Sequence, residues 1–151
     1  MKIVLDSELL LGLALPRDYS EAAARQVRRW KQAGVELCMP QLGEYEITSG
    51  LQQAVSQGLV TAEEAVEALA QLEMLQIASM LPDGDLHRSA LAWAGQLGED
   101  DTTAGQYLAL AERLEAEFWT ADQGLAEQAE AMRMDWVRWI GEDPALDRVE
   151  N

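Results

Sequence analysis

The chain has one cysteine, one histidine and one phenylalanine, and its only lysines are Lys2 and Lys31. Each scarcity removes a class of protein. A lone Cys38 cannot form an internal disulfide. Set among the apolar neighbours of VELCMP, it reads as a small buried hydrophobe in a protein of the reducing cytoplasm. His87 has no second His or Cys nearby, which leaves no zinc ligand set; with no Gly-x-Ser-x-Gly elbow it has no convincing pairing with Ser7, Ser20 or Ser49, and it reads as a surface or core-edge side chain. There is no Gly-Lys-Ser/Thr phosphate loop and no Gly-x-Gly-x-x-Gly turn, so nucleotide binding by those devices has no support. Without a lysine in the second half of the chain, phospho-receiver and haloacid-dehalogenase-like chemistry also lack a required group. No window approaches the roughly 18 to 20 apolar residues of a membrane span. The apolar start KIVLDSELLLGLAL is broken by Asp6 and Glu8, so it reads as a strand entering a helix rather than as an export signal.

Positive charge is also scarce, with 11 Lys and Arg against 27 Asp and Glu and a net charge of −16. That balance argues against a protein that coats nucleic acid, because phosphate contacts are made by clustered cations. It counts less against an enzyme that draws divalent cations into a carboxylate cluster, since each bound cation reverses the local sign. The densest basic patch, Arg25, Arg28 and Arg29, has two readings: a solvated helix face, or a contact to a nucleic-acid strand or an acidic partner.

What is present is an alternation of two periodicities. Short apolar runs at 2–6, 35–40, 74–79, 116–122 and 135–141 read as strands, and the segments between them carry apolar residues at helical spacing. Thr61 with Glu64 three residues later forms a capping box at the start of one helix, and Gly34 stops another. The segment after Asp101 predicts a helix whose buried face is Ala104, Tyr107, Leu108, Ala111 and Leu114. The tryptophans suit core and edge packing better than a base-stacking platform. With 151 residues the chain fits one domain, 1–141, followed by a charged tail at 142–151. The expected fold is three-layer α/β/α with a central parallel sheet of about five strands.

The candidate chemistry lies in acids at strand ends. Asp6 follows the first strand, Glu46 lies near the first turn of the helix after the second, and Asp122 ends the fourth. In open α/β sheets ligands bind outside the carboxyl ends of the strands. Other readings stand beside these: Asp6 also suits the cap of the helix it precedes, and Glu44 rivals Glu46. Two carboxylates about 4 Å apart repel by roughly 4 kcal/mol at an effective dielectric near 20, so a cluster of them must take up cations or protons. Hard oxygen ligands favour Mg²⁺ or Mn²⁺, which suits hydrolysis of a nucleic-acid backbone.

The stretches KIVLDS, PQLGEYEITSGL, DLHRSALAWAGQLG, QYLALAERLEAEFWTADQGL and DWVRWIG together resemble the PIN-domain proteins of the VapC-like type over nearly the whole chain. The resemblance implies a ribonuclease, often the toxin of a toxin–antitoxin pair and commonly a homodimer, with four acids around Mg²⁺ or Mn²⁺. It assigns the first acid to Asp6, the second to Glu46 and the fourth to Asp122. The third falls three residues before the Tyr of QYLALAE, where this chain has Ala104. Asp101, one helical turn earlier, is the candidate substitute. The alternatives are a weakened enzyme using three acids, or an inactive relative kept for binding or regulation. A small basic antitoxin would suit the acidic surface.

Overall fold

The computed structural model describes residues 1–142. Of the expected charged tail, residues 143–151 lie outside the described part. Five strands, β1 (Lys2–Leu5), β2 (Glu36–Pro40), β3 (Ala78–Met80), β4 (Glu117–Thr120) and β5 (Val137–Trp139), form one parallel sheet in the order β3-β2-β1-β4-β5. The helices are α1 (Ser7–Ala14), α2 (Ser20–Gln32), α3 (Leu42–Ser56), α4 (Ala62–Glu73), α5 (Gly84–Leu97), α6 (Thr103–Leu114) and α7 (Gln123–Ala131). This is the three-layer α/β/α arrangement that the sequence predicts.

The period-2 alternation of the strands sorts their side chains into two cores. Ile3, Leu5, Leu37, Met39 and Trp119 face a core shared with α1 to α4. Val4, Cys38 and Phe118 face a second core shared with α5, α6 and α7. β1 lies between β2 and β4 with helices packed on both faces of the sheet, so Ile3, Val4 and Leu5 are fully buried. That explains why its sequence is a continuous apolar run rather than an alternating one. Four of the five tryptophans pack in edge-to-face pairs, Trp30 on Trp119 and Trp93 on Trp136, as expected of packing residues.

Two sequence expectations need correction. The third strand is predicted at 74–79, but α4 runs on to Glu73 and only Ala78–Met80 pair with β2. Met74 and Leu75 are good helix formers that complete the last turn of α4, and Gln76 closes it with a left-handed backbone (φ 55°). The buried face of α6 is also wider than predicted, because Gly105, Ala109 and Leu110 are buried along with Tyr107, Leu108 and Ala111. α6 is sandwiched between the sheet and α5. A Cβ at Gly105 would stand 2.3 Å from the Ala90 carbonyl oxygen, so only glycine permits this closeness. The capping box on α4 forms as read, with Thr61 and Glu64 each bonding the other's backbone amide.

Candidate active site

The strand order reverses between β1 and β4, because the chain builds outward from β1 in one direction through β2 and β3 and in the other through β4 and β5. Loops leaving the carboxyl ends of such a pair diverge and open a crevice. Asp6 follows β1 directly and Asp122 follows β4 after one intervening residue. Both acids therefore reach the crevice through topology.

Asp6 is buried, and every partner it has is a neutral donor. Its carboxylate accepts from the Leu9 amide at 2.8 Å, from the Ala121 amide at 3.2 Å and from the Thr120 hydroxyl. Burial pushes its pKa up to about 7, against the pull of those hydrogen bonds. The Leu9 bond caps α1, as the capping reading of Asp6 expects. Thr120 is fully buried, and its hydroxyl is shared: it donates to Asp6 and accepts from the Asp122 amide at 2.9 Å. Asp122 in turn caps α7 through the Leu125 amide at 3.0 Å. One hydroxyl thus ties the first acid to the backbone of the last.

Glu46 reaches the same place from α3. Its Oε1 accepts from the Tyr107 hydroxyl at 2.7 Å, and the Ser7 amide, next in sequence to Asp6, donates to that hydroxyl oxygen at 3.3 Å. Burial and the adjacent Glu46 charge raise the Tyr107 pKa, so the phenol keeps its proton and donates. Glu44 points elsewhere, lining an apolar cleft between α3 and α4 with Leu10, Met39, Ile47 and Leu69.

Asp101 is exposed, and its Oδ1 accepts from the Thr103 amide at 2.9 Å at the start of α6. Ala104 packs partly buried against the second core. The structure therefore joins Asp6 to the Asp122 amide through Thr120 and Glu46 to the Ser7 amide through Tyr107, and leaves Asp101 outside those bonds. Sequence reasoning missed Thr120 as a linker and counted Tyr107 only as packing. A signal existed for both, since a buried hydroxyl at a strand end or on a buried helix face needs a partner. His87 is exposed and its ring Nδ1 lies 3.1 Å from the Gln106 side-chain amide. A cleft of about 590 Å³ between α7 and β5 holds none of the three acids, although Gln123 on its wall adjoins Asp122.

The three acids suit a hard divalent cation in kind, being all-oxygen donors, and the hydrogen bonds that reach the buried Asp6 come from neutral groups. In number and placement they fall short: among the described residues no three carboxylate, imidazole or thiolate groups stand together as a formed metal-binding set. Ala104 contributes a methyl group where the resemblance puts a carboxylate.

Solved structures share this parallel three-layer α/β/α fold. The crystal structure of PAE2754 from Pyrobaculum aerophilum superposes with a TM-score of 0.68 at 16% identity, over 93% of this chain and 85% of that one. The crystal structure of VapBC2 from Rickettsia felis, bound to a DNA fragment from their promoter, matches with a TM-score of 0.64 at 8% identity, over 92% of this chain and 97% of that one. No family model matches the chain. A curated relative, Ribonuclease VapC3 of Pyrobaculum aerophilum, is 30% identical over 133 residues, covering 87% of this chain and 98% of that protein. The chain belongs to the VapC-like family of PIN-domain proteins.

Proposed function

We propose that the protein is an endoribonuclease that hydrolyses RNA phosphodiesters with the help of Mg²⁺ or Mn²⁺, around which Asp6, Glu46 and Asp122 would have to draw together. The observation that carries this reading is the shared Thr120 hydroxyl, which joins the Asp6 carboxylate to the backbone amide of Asp122 at the strand-order reversal. When bound, the cation supplies charge to offset the phosphate and acidity to activate water. The chain's own groups supply the rest. Thr120 and the Leu9 and Ala121 amides orient Asp6, the N-terminus of α7 holds Asp122, and the Tyr107 hydroxyl orients Glu46. The relative's name, a ribonuclease, supports the substrate class.

The same reading makes the protein the toxin of a toxin–antitoxin pair in the cytoplasm, acting as a homodimer. A small basic antitoxin fits a chain of net charge −16, and the Rickettsia felis neighbour is itself a VapBC2 assembly. No helix among the described residues is long and apolar enough to cross a membrane. The test is cleavage of single-stranded RNA by purified protein with Mn²⁺ or Mg²⁺, against the Asp122→Asn variant. Cleavage by the wild type alone is expected. Equal traces from both proteins under every divalent metal would remove the reading.

A further inference from the structure

α6 reaches the site with a phenol in place of a carboxylate. Ala104 has nothing to offer a cation, and one turn further along the same helix the Tyr107 hydroxyl stands between Glu46 Oε1 at 2.7 Å and the Ser7 amide at 3.3 Å. We infer that Tyr107 is a positioning residue that holds the Glu46 carboxylate against the end of β1. This rests on the reading of Asp6, Glu46 and Asp122 as the reacting site.

Three features make the hydroxyl a fixed point. The Tyr107 ring is 3% exposed and stacks on Phe118 of β4, with centroids 5.6 Å apart and planes 24° from parallel. Its oxygen is anchored on a backbone amide, which cannot swing away as a side chain does. α3 is also brought down onto it by Gly43, one turn before Glu46. A Cβ at position 43 would stand 3.1 Å from the Tyr107 oxygen and 2.8 Å from the Met39 sulfur. Glutamate has a long side chain with much rotamer freedom to lose, so a bond that holds it before the ligand arrives lowers the cost of binding. The same contact favours Glu46 over Glu44, because the phenol bonds Glu46 while Glu44 lines the α3–α4 cleft.

Tyr107→Phe keeps the ring and removes the oxygen. In metal-free protein, deuterium exchange at the Ser7 amide is expected to speed up about tenfold, and urea midpoints of Tyr107→Phe, Glu46→Gln and the double variant are expected to show coupling between the two sites. With Mn²⁺, calorimetry of the single variant is expected to show a dissociation constant raised about 10- to 100-fold, the usual effect of losing a group that orients a ligand. In the Glu46→Gln background the same substitution is expected to add nothing further. Wild-type exchange at Ser7 with additive urea midpoints overturns the inference, as does an unchanged Mn²⁺ constant in Tyr107→Phe. If the wild type binds no Mn²⁺ at all, the metal reading fails by itself, and the metal-free measurements still decide the role of Tyr107.

Discussion

The two sides of the crevice are built differently. On the side of β1 and β4, carboxylates stand at strand ends and are fixed by backbone amides and one buried hydroxyl, so their positions follow from the sheet. On the side of α6, the helix is wedged between the sheet and α5, and its contribution is apolar packing plus a phenol. The contrast teaches that strand ends deliver charge to a site cheaply, because the topology has already placed them. A buried helix delivers a polar group only where a neighbour accepts it.

The largest expected effect tests the strand side. A carboxyl moved from 3.8 to about 7 by burial is protonated in the folded protein over a range where the unfolded chain is ionised. Folding therefore binds a proton between about pH 4 and 7, and the group's contribution to stability falls as pH rises through that window, by about 4 kcal/mol in all. Urea melts of metal-free protein at pH 4.5, 6 and 7.5 are expected to show this decline, and Asp6→Asn is expected to flatten it. Saturating Mn²⁺ is expected to restore stability at pH 7.5, because a bound cation favours the ionised form.

Next in size is the loss of a terminal acid. If removing a group that merely orients a ligand costs 10- to 100-fold, then Asp122→Asn, which removes a proposed ligand itself, is expected to lower RNA cleavage by at least about a hundredfold while melting within a few degrees of the wild type. Gly105→Ala strikes the other side. Its new Cβ meets backbone at 2.3 Å, so α6 must move from α5, and a loss of about 1–3 kcal/mol in urea unfolding is expected. A drop that leaves the pH dependence of Asp6 intact would show that the two sides are energetically separate. The smallest effect belongs to Ala104→Asp. It gives α6 a carboxylate, and if α6 is the weak side of the site, Mn²⁺ binding and cleavage are both expected to improve about tenfold, equivalent to about 1.4 kcal/mol. Equal cleavage in the two forms would show that the site works without a third acid.

Much of this was legible without coordinates. KIVLD and EFWTAD each read as an apolar run ended by an acid, and the structure puts those two acids at adjacent strand ends. The capping box at Thr61 and the burial of Cys38 also follow from local residue patterns. The sequence places the third strand too early because Met74 and Leu75 are apolar enough for a strand and helical enough to finish α4; only pairing with β2 decides between them. The face of α6 was read too narrowly because one amphipathic stripe implies one packing partner, and this helix has two.

The sequence by itself determined the alternation of strands and helices, the parallel sheet, and which acids end strands, because periodicity and chain direction are local properties that a single chain displays. Only the tertiary structure decided that Thr120 ties Asp6 to Asp122, that Tyr107 takes up Glu46 and that Asp101 stays with its own helix. The Tyr107–Glu46 and Thr120–Asp6 bonds join residues 61 and 114 positions apart, the place of Asp101 turns on which way a helix end faces, and a hydroxyl carries no mark in the sequence of the partner it will meet.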